Sequence, residues 1–358
     1  MKKAPTLTIG IPCRNEAAFV GECLASLVSQ DIETSFRVVV SDNNSQDESA
    51  SIVERVISKN DNPRCELTLI RNNKDLSAGE NFKRVFDYAE STPFFMWLGA
   101  HDALSTNFVR EGTQLMESDE GCGMASGNPY SIAPLPTRDQ FSSPQLMVGA
   151  IYDYSQEDPF HRYLLSAIKT GNCTIFHSIF RRKALSGYSW REAPSADHIM
   201  ISRLLWSGKL RYFNGGYIRR YFKRDVSQRK KAAGYYEKNS EFFDAYVSDF
   251  YRLIAEKHSQ FLATTYSKVL FDILLDRYGF PPDAAWPRAF GTAFGARSAR
   301  LFVLSIGKSD VVKANGMDFS QGELLKQCME LSQSPNWLAT YLRYVLMRLK
   351  KALAARAH

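Results

Sequence analysis

The sequence TPFFMWLGAHDAL, residues 92–104, decides the fold of the chain. Its apolar run Phe94–Leu98 lies between a proline and a glycine, and short apolar runs with such boundaries predict buried strands. His101 and Asp102 follow at the position where open α/β sheets bind their ligands. Taken alone, Asp102 is better interpreted as the cap of the next helix, because Asp is a favoured capping residue. The surrounding sequence instead favours a ligand-binding role for Asp102.

Three other apolar runs precede this stretch and alternate with helical patterns. They are Leu7–Ile11, Phe36–Val40 and Leu67–Ile70. Between the runs, apolar residues recur at the spacing of an amphipathic helix. An alternation of strand and helix predicts a mostly parallel sheet flanked by helices, with right-handed crossovers. The predicted fold class is therefore α/β.

Polar residues before the helical patterns predict where each helix begins. Asn15 is expected to cap the first helix. Ser45 with Glu48, and Ser77 with Glu80, match the capping-box pattern of the second and third helices.

In a parallel sheet the strand ends that precede such helices lie at one edge. A polar segment follows each predicted strand: Cys13–Glu16, Asp42–Ser45, Asn72–Lys74 and His101–Asp102. Free N–H groups at the start of a helix suit an anion or a ribose. The segment GIPCRN, residues 10–15, lacks both the GxGxxG pattern of dinucleotide sites and the lysine loop of P-loop proteins. The edge therefore predicts a mononucleotide site built from side chains and loop backbone.

The sequence after residue 104 continues less regularly. We expect a helix carrying Val109 and Met116, a strand at Gly121–Ser126 and a β-like segment at Asn172–Phe180. Residues 129–160 are rich in proline, serine and other polar residues, and long loops of this kind are often functional. We expect this excursion to shape an acceptor site.

Asp197 lies in the first turn of a predicted helix that continues through IMISRLLW, residues 199–206. An acidic residue there interacts favourably with the helix dipole, which is the ordinary interpretation. The alternative is a general base that faces the same edge of the sheet.

The composition is that of a globular protein with an anionic partner. The 358 residues are 44% hydrophobic and carry a formal net charge of +7, which favours a phosphorylated ligand, nucleic acid or an acidic membrane surface. No apolar stretch reaches the roughly 18 residues of a membrane span, and the N-terminus lacks the apolar run of a signal peptide. The six cysteines form no CxxC pair, as expected for reduced thiols. The sequence predicts a cytoplasmic protein.

Basic residues are concentrated in Arg219–Lys231 and in residues 331–358. The latter form a basic amphipathic helical pattern, and two interpretations stay open. Such a helix can lie in an anionic membrane interface, or it can pack on its own domain with its basic residues in water. The basic residues do not overlie a nucleic-acid-binding module, so nucleic acid is not an expected partner. Oligomerisation stays open.

Five segments in this order resemble the family-2 glycosyltransferases, which use the GT-A fold. They are IGIPCRNEAAFVGECLASLVSQ, VVVSDNNSQDES, NNKDLSAGENFKRVFDYA, FMWLGAHD and SADH, which begin at residues 9, 38, 72, 95 and 195. The resemblance implies a GT-A domain at 1–228, with a nucleotide-binding half at about 5–104 and an acceptor half at about 105–228. It leaves 229–358 as an α-helical C-terminal region.

The resemblance also implies a role for each matching residue. The nucleotide-binding set that it implies is Pro12, Arg14, Asn15, Glu16, Asp42, Asn44, Lys74, Asn81, His101 and Arg220. Asp102, together with His101, would hold a divalent metal, Mn²⁺ or Mg²⁺, on the donor diphosphate. Asp197 would be the catalytic base.

The sequence departs from the family pattern at three positions. Ala100 replaces the first acid of the Asp-x-Asp motif, and Ala196 replaces the acidic neighbour of Asp197. The histidine that often follows the late arginine is missing, and Lys223 or Arg224 would balance the leaving diphosphate instead. One carboxylate with two phosphates still makes a plausible magnesium site.

The resemblance implies an inverting, hexosyl-type transferase that uses a nucleotide sugar, with UDP expected, and a saccharide or lipid-linked acceptor. Its expected setting is bacterial surface polysaccharide or lipopolysaccharide biosynthesis, at the cytoplasmic face of the inner membrane. The alanine at position 100 leaves open a non-catalytic nucleotide-sugar-binding protein of the same fold. A nucleotidyltransferase is less favoured, because the first loop is not the Gly-rich, Arg-containing loop of those enzymes.

Overall fold

A computed structural model describes residues 4–89, 91–135, 146–148, 150–170, 173–188, 190, 196–222 and 240–256, together with residues 263, 267, 270 and 274. Within these residues, nine strands form one mixed sheet.

The first four strands form the parallel part of this sheet. They are β1 (Leu7–Cys13), β2 (Phe36–Asp42), β3 (Cys65–Arg71) and β4 (Phe94–Trp97). Their order is β3-β2-β1-β4, and every pairing is parallel. The four predicted strands and their parallel arrangement are confirmed. Because β1 pairs with β2 on one side and with β4 on the other, the sheet has a topological switch point between β1 and β4, where such sheets bind ligands.

Helices α1 (Val20–Val28), α2 (Ser49–Lys59) and α3 (Ala78–Asp87) connect these strands. The capping box of Ser77 and Glu80 is confirmed at the start of α3. The other two predicted caps are wrong, because α1 and α2 begin after Phe19 and Glu48 without a side-chain cap. Asn15 and Ser45 instead take part in hydrogen bonds that join the loop after β1 to the loop after β2.

The second part of the sheet contains two long strands that pair in parallel with each other, and three short strands that make antiparallel pairs. The elements that follow β4 along the chain are β5 (Ala103–Leu104), α4 (Phe108–Ser118), β6 (Cys122–Leu135), β7 (Leu146–Val148), α5 (Pro159–Lys169), β8 (Ile179–Arg181), α6 (Ala196–Ser207) and β9 (Lys209–Phe222). The order continues from β4 as β8-β6-β9-β5, and β7 pairs with β6. The interpretation of Asp102 as a helix cap is wrong, since α4 begins six residues later, at Phe108, after its N-cap Asn107.

Two further predictions for this part can be compared with the structure. The strand expected at Gly121–Ser126 is confirmed and is longer, because β6 continues to Leu135. The β-like segment expected at 172–180 is only partly confirmed, since Thr174–His177 is a short 3-10 helix and the strand begins at Ile179.

Strand β4, near the centre of the sheet, is deeply buried. All four residues of β4 are buried, which explains the uninterrupted apolar run that the sequence shows there. Trp97 stacks on Phe176 with ring centroids 4.8 Å apart and meets Phe95 edge to face at 4.8 Å. The buried aromatic side chains hold the end of β4, and with it the loop that follows, in a fixed position.

The chain divides into two compact units, Met1–Ser155 with Lys169–Tyr235, and Gln156–Ile168 with Tyr236–His358. In the second unit, Tyr163 of α5 packs against Phe250 of α7 (Ser240–Ala255), with ring centroids 4.5 Å apart. The predicted domain boundary near residue 228 and the amphipathic pattern in 331–358 lie outside the described residues. No helix in the described ranges is long and apolar enough to cross a membrane.

Candidate active site

The loops after β1 and β2 are joined by hydrogen bonds between backbone and side chains. The backbone N–H of Asn15 donates to Ser45 Oγ at 2.9 Å, and that of Ala17 donates to Asp47 Oδ2 at 3.0 Å. In the other direction, the backbone N–H of Gln46 donates to Asn15 Oδ1 at 2.8 Å. The loop residues Ser45 and Asp47 therefore fix the shape of the first loop.

Both loops contain one asparagine in the left-handed backbone region. The φ angles are 52° for Asn15 and 54° for Asn44. Asparagine tolerates this conformation better than most residues with a side chain. The two asparagines thus allow sharp turns directly after the ends of β1 and β2.

Asp42 ends β2 and is buried. Its Oδ2 accepts a hydrogen bond from the backbone N–H of Ser45 at 3.3 Å, whereas its Oδ1 is buried without a hydrogen-bond partner among the described residues. Cys13 is its partner in the β1–β2 register, next to the pair of Pro12 and Ser41. Burial, followed by the charges of Asp42 and Glu16, raises the pKa of the Cys13 thiol to about 12. The Cys13 thiol is therefore neutral, and the side chain of Asp42 is the hydrogen-bond acceptor at the end of β2.

The loop after β3 (the third loop) is hydrogen-bonded to the loop after β2 (the second loop). Asn43 donates to the carbonyl of Leu76 and accepts from its backbone N–H, both at 2.8 Å. Asn81 is buried and donates to the carbonyl of Ser41 at 3.3 Å. Lys74 is exposed on the same loop. The amides of Asn43 and Asn81 thus position the end of β2.

Asp75 links all three loops at the surface. It forms an ion pair with Arg14 of the first loop and accepts from Asn44 Nδ2 of the second loop at 2.9 Å. Hydrogen bonds from Asn44 and Arg14 lower the pKa of the Asp75 carboxyl group. Exposed pairs of this kind contribute little stability, so we interpret this one as setting the position of Arg14.

Glu16, His101 and Asp102 lie together at the topological switch point. His101 Nδ1 is 3.3 Å from Glu16 Oε1, and His101 Nε2 is 3.9 Å from Asp102 Oδ1. The loop after β4 turns sharply, since the backbone N–H of Asp102 donates to the carbonyl of Gly99 at 2.9 Å. The contact between His101 and Glu16 brings the loops after β1 and β4 together.

The surroundings of His101 favour its protonated form. Burial acts to lower its pKa, but the hydrogen bond to Glu16 and the charges of Asp102 and Glu16 together outweigh burial, so the pKa of His101 is raised. The imidazole therefore carries positive charge over a wider pH range than a free histidine does.

Asp102 is almost completely buried, at 1% exposure. The hydroxyl group of Tyr217, a residue of β9, donates to Asp102 Oδ2 at 2.7 Å. In the same strand, the charge of Arg219 acts to lower the pKa values of His101 and His177. Arg219 thus places positive charge near the loop after β4.

Asp197 lies in the first turn of α6 and is half-buried. Its Oδ1 accepts from the backbone N–H of His198 at 3.1 Å. Helix α6 packs against the 3-10 helix Thr174–His177. Arg220 lies in β9, next to Arg219, and its side chain is outside the described part of the chain, as are Lys223 and Arg224.

Residues 8–188 match the family model described as glycosyl transferase family 2. The chain belongs to glycosyl transferase family 2. This match confirms the family that the five sequence segments resemble. No curated protein sequence matches the chain significantly.

Solved structures with a similar fold include S. aureus TarS 1-349 in complex with UDP-GlcNAc. That structure has a TM-score of 0.54 and 12% sequence identity, and the match covers 85% of this chain and 80% of TarS 1-349. TarS 1-349 in complex with UDP has a TM-score of 0.52 at 11% identity, with 96% and 87% of the two chains covered. At such identities the similarity concerns the fold, and it confirms the predicted GT-A class for this family-2 glycosyltransferase.

Four residues of this candidate site were not singled out from the sequence: Asp47, Asp75, Tyr217 and Arg219. The last three act through partners that are distant along the chain, so no local pattern identifies them. Only Asp47 has a sequence signal, because it completes the Asp-x-x-Ser-x-Asp pattern that begins at Asp42.

The metal-binding prediction can be compared with the donor atoms present. In the described ranges, no group of three or more His, Cys, Asp or Glu side chains is placed to hold a metal ion. Asp102 supplies one carboxylate at the loop after β4. Magnesium at nucleotide sites commonly uses one or two carboxylates together with substrate phosphates. The donor set therefore fits an ion that binds together with a diphosphate.

Proposed function

We propose that this family-2 glycosyltransferase transfers a sugar from a UDP-linked donor to a saccharide or lipid-linked acceptor, with inversion at the anomeric carbon. The observation that carries the proposal is the arrangement of the loops after β2, β1 and β4. Buried Asp42 ends β2 and buried Asp102 lies in the loop after β4, and these two strands flank β1. A nucleoside diphosphate bound across the first loop would direct its base to Asp42 and its phosphates to Asp102.

Asp42 supports the choice of uracil as the base. A buried carboxylate oxygen without a partner is costly, so Oδ1 is suited to accept a hydrogen bond from the ligand. Uracil offers an N3–H donor, whereas adenine and cytosine present an acceptor nitrogen at the corresponding ring edge. The TarS structures contain UDP and UDP-GlcNAc, which supports the same choice. Guanine also offers a ring N–H, so GDP is the competitor to test.

Asp197 is the proposed catalytic base. It would take the proton of an acceptor hydroxyl group while that oxygen attacks the anomeric carbon from the face opposite the leaving group. A carboxylate is ionised at neutral pH without special tuning. Its place at the start of α6, beside the 3-10 helix that carries His177, supports an approach from the acceptor half of the domain.

The leaving diphosphate requires positive charge. Asp102 and the diphosphate would hold Mn²⁺ or Mg²⁺, which supplies charge neutralisation when bound. Arg219 adds positive charge at the loop after β4, and the raised pKa of His101 favours positive charge there as well. The basic segment Arg219–Lys231 would extend this charge toward phosphate groups of a lipid-linked acceptor.

The setting of the reaction is also part of the proposal. We assign residues 5–104 to donor binding, 105–228 to acceptor binding, and the C-terminal region 229–358, which the sequence predicts to be helical, to contact with an anionic membrane surface at the cytoplasmic face. The strongly basic C-terminal sequence supports this contact. Family resemblance supports bacterial surface polysaccharide or lipopolysaccharide as the product.

A donor screen with the full chain tests the proposed function. UDP-, GDP- and ADP-linked sugars are incubated with and without Mn²⁺, release of the nucleoside diphosphate is measured, and calorimetry gives the affinities of UDP and GDP. We expect release of UDP from at least one donor, and NMR of the product should show inverted anomeric configuration. Tight UDP binding without release from any donor would favour the non-catalytic alternative. Preferential binding of GDP would overturn the base assignment.

A further inference from the structure

Tyr217 lies beside Asp102 because of the register between β5 and β9. β5 begins directly after Asp102, and its Leu104 is paired with Tyr217 in the antiparallel ladder. Tyr217 is 2% exposed and Asp102 is 1% exposed, and the tyrosine hydroxyl group donates to Asp102 Oδ2 at 2.7 Å. A hydrogen bond to a buried carboxylate at this distance is among the stronger ones in proteins.

The ring of Tyr217 is itself held in place. It stacks on the imidazole of His177, with ring centroids 5.1 Å apart and an interplanar angle of 28°. His177 Nδ1 lies 2.9 Å from the carbonyl oxygen of Trp97 and must donate to it, since a carbonyl only accepts. Burial lowers the pKa of His177 to about 4, so the ring is neutral at pH 7. Tyr217 is thus braced against the end of β4, from which the Asp102 loop departs.

The Asp102 carboxylate has a second wall on the side of Gly99. A Cβ atom at position 99 would lie 2.6 Å from Asp102 Oδ2, closer than real Cβ contacts allow. Glycine at this position therefore leaves room for the same oxygen that Tyr217 binds. The hydroxyl group of Tyr217 and Gly99 together restrict the Asp102 carboxylate to one orientation.

We infer that Tyr217 is a positioning residue for Asp102, and that it fixes the one carboxylate left at a site where Ala100 has replaced the other. The inference rests on the proposed function, in which Asp102 meets the metal-bound diphosphate. A single carboxylate is free to rotate unless one of its oxygens is held, and its orientation then decides how well it meets an ion on the phosphates.

The test measures UDP affinity by calorimetry with and without Mn²⁺, in the full chain and in Tyr217→Phe. Phenylalanine keeps the ring on His177 and removes only the hydroxyl group. The matched control is Tyr154→Phe, because Tyr154 is fully buried and its hydroxyl group is 2.8 Å from Thr170 Oγ1, within the same unit. We expect Tyr217→Phe to weaken UDP binding about tenfold with Mn²⁺ and not without it, whereas Tyr154→Phe should leave both affinities unchanged.

Each outcome decides between the inference and its alternatives. Wild-type affinity in Tyr217→Phe, or an equal loss with and without Mn²⁺, would overturn the positioning role and leave the proposed function intact. Equal UDP affinity of the wild type with and without Mn²⁺ would overturn the metal role and the inference with it, and no UDP binding at all would overturn the proposed function. If Tyr217→Phe does not fold, Gly99→Ala displaces the same oxygen from its other side. Wild-type Mn²⁺-dependent affinity in that variant would overturn the inference.

Discussion

Ala100 and Asp102 show, at the scale of single residues, how this site departs from the pattern of its family. Ala100 is 2% exposed and belongs to the hydrophobic core. The position of the first acid has therefore become a packing position, and a charge there would need a partner. The Asp102 carboxylate fits closely beside Gly99 and accepts a hydrogen bond from Tyr217, so this buried acid has a partner.

Asp102→Asn tests the charge at this position. Asparagine keeps the shape and can still accept from Tyr217, so the fold should survive, but it loses the negative charge that attracts a metal ion. We expect the Kd for UDP in Mn²⁺ to rise about tenfold or more, with little change in EDTA, as measured by calorimetry. Asp87→Asn removes a surface acid on α3 and serves as the control. A loss that is the same with and without Mn²⁺ would contradict the metal role.

Asp197→Asn separates the two interpretations of the helix α6 acid. If Asp197 is the general base, turnover should fall by about 10²–10⁴-fold, while the Kd for UDP stays the same. If it only stabilises the helix dipole, turnover should stay close to that of the wild type and only the melting temperature should fall. Glu111→Gln is the matched control, since Glu111 is an acidic residue in the first turn of α4. Unchanged turnover of Asp197→Asn would reject the assignment.

At the scale of elements, the site depends on how neighbouring loops hold one another. Ser45 was expected to cap a helix, but its hydroxyl group accepts from Asn15, and Asp47 accepts from Ala17. Ser45 and Asp47 of the family pattern therefore have a structural role, because they hold the first loop in place. In the proposed function, Asp42 of the same pattern meets the ligand.

Ser45→Ala should loosen the first loop. The substitution removes the hydrogen bond from the backbone N–H of Asn15 to Ser45 Oγ, and a bond of this kind contributes about 1 kcal/mol to the free energy of unfolding. We expect the UDP affinity to fall about fivefold, which corresponds to the same free energy, because the first loop must be reordered when UDP binds. Ser51→Ala is the control, since Ser51 donates only to the carbonyl of Glu48 on the exposed side of α2. Equal UDP affinities of the two variants would show that the link does not shape the site.

The parallel strands, and the sheet edge at which the candidate site lies, could be predicted from the sequence, because apolar runs and turn residues are local signals. It identified the segments that carry Asp42 and Asp102 for the same reason. The caps at Asn15 and Ser45 were predicted wrongly, since both residues meet partners about thirty positions away. Tyr217 could not be predicted at all, because the β5–β9 register that brings it to Asp102 depends on the whole second half of the sheet.

At the scale of the whole molecule, the uneven charge matters most. The net charge is +7, and residues 331–358 contain basic residues and no acidic ones. Each Lys or Arg close to an anionic membrane contributes about 1 kcal/mol of binding free energy. Several basic residues in one amphipathic segment can therefore bind a membrane surface without a membrane-spanning helix. If the segment instead packs on its own domain, its basic residues stay in water and contribute nothing to membrane binding.

We therefore expect the full chain to co-sediment with vesicles that contain phosphatidylglycerol at low salt, and not with vesicles of phosphatidylcholine. A variant in which four basic residues of the C-terminal segment are replaced by glutamine should lose this binding: Arg343, Arg348, Lys350 and Lys351. The control carries the same four replacements at exposed positions of the nucleotide-binding half: Arg55, Lys59, Arg64 and Arg84. Because the two variants have the same net charge, a difference between them reports the position of the charge. Equal binding of both variants would show that overall charge attracts the protein to the vesicles, and that residues 331–358 are not the attachment segment.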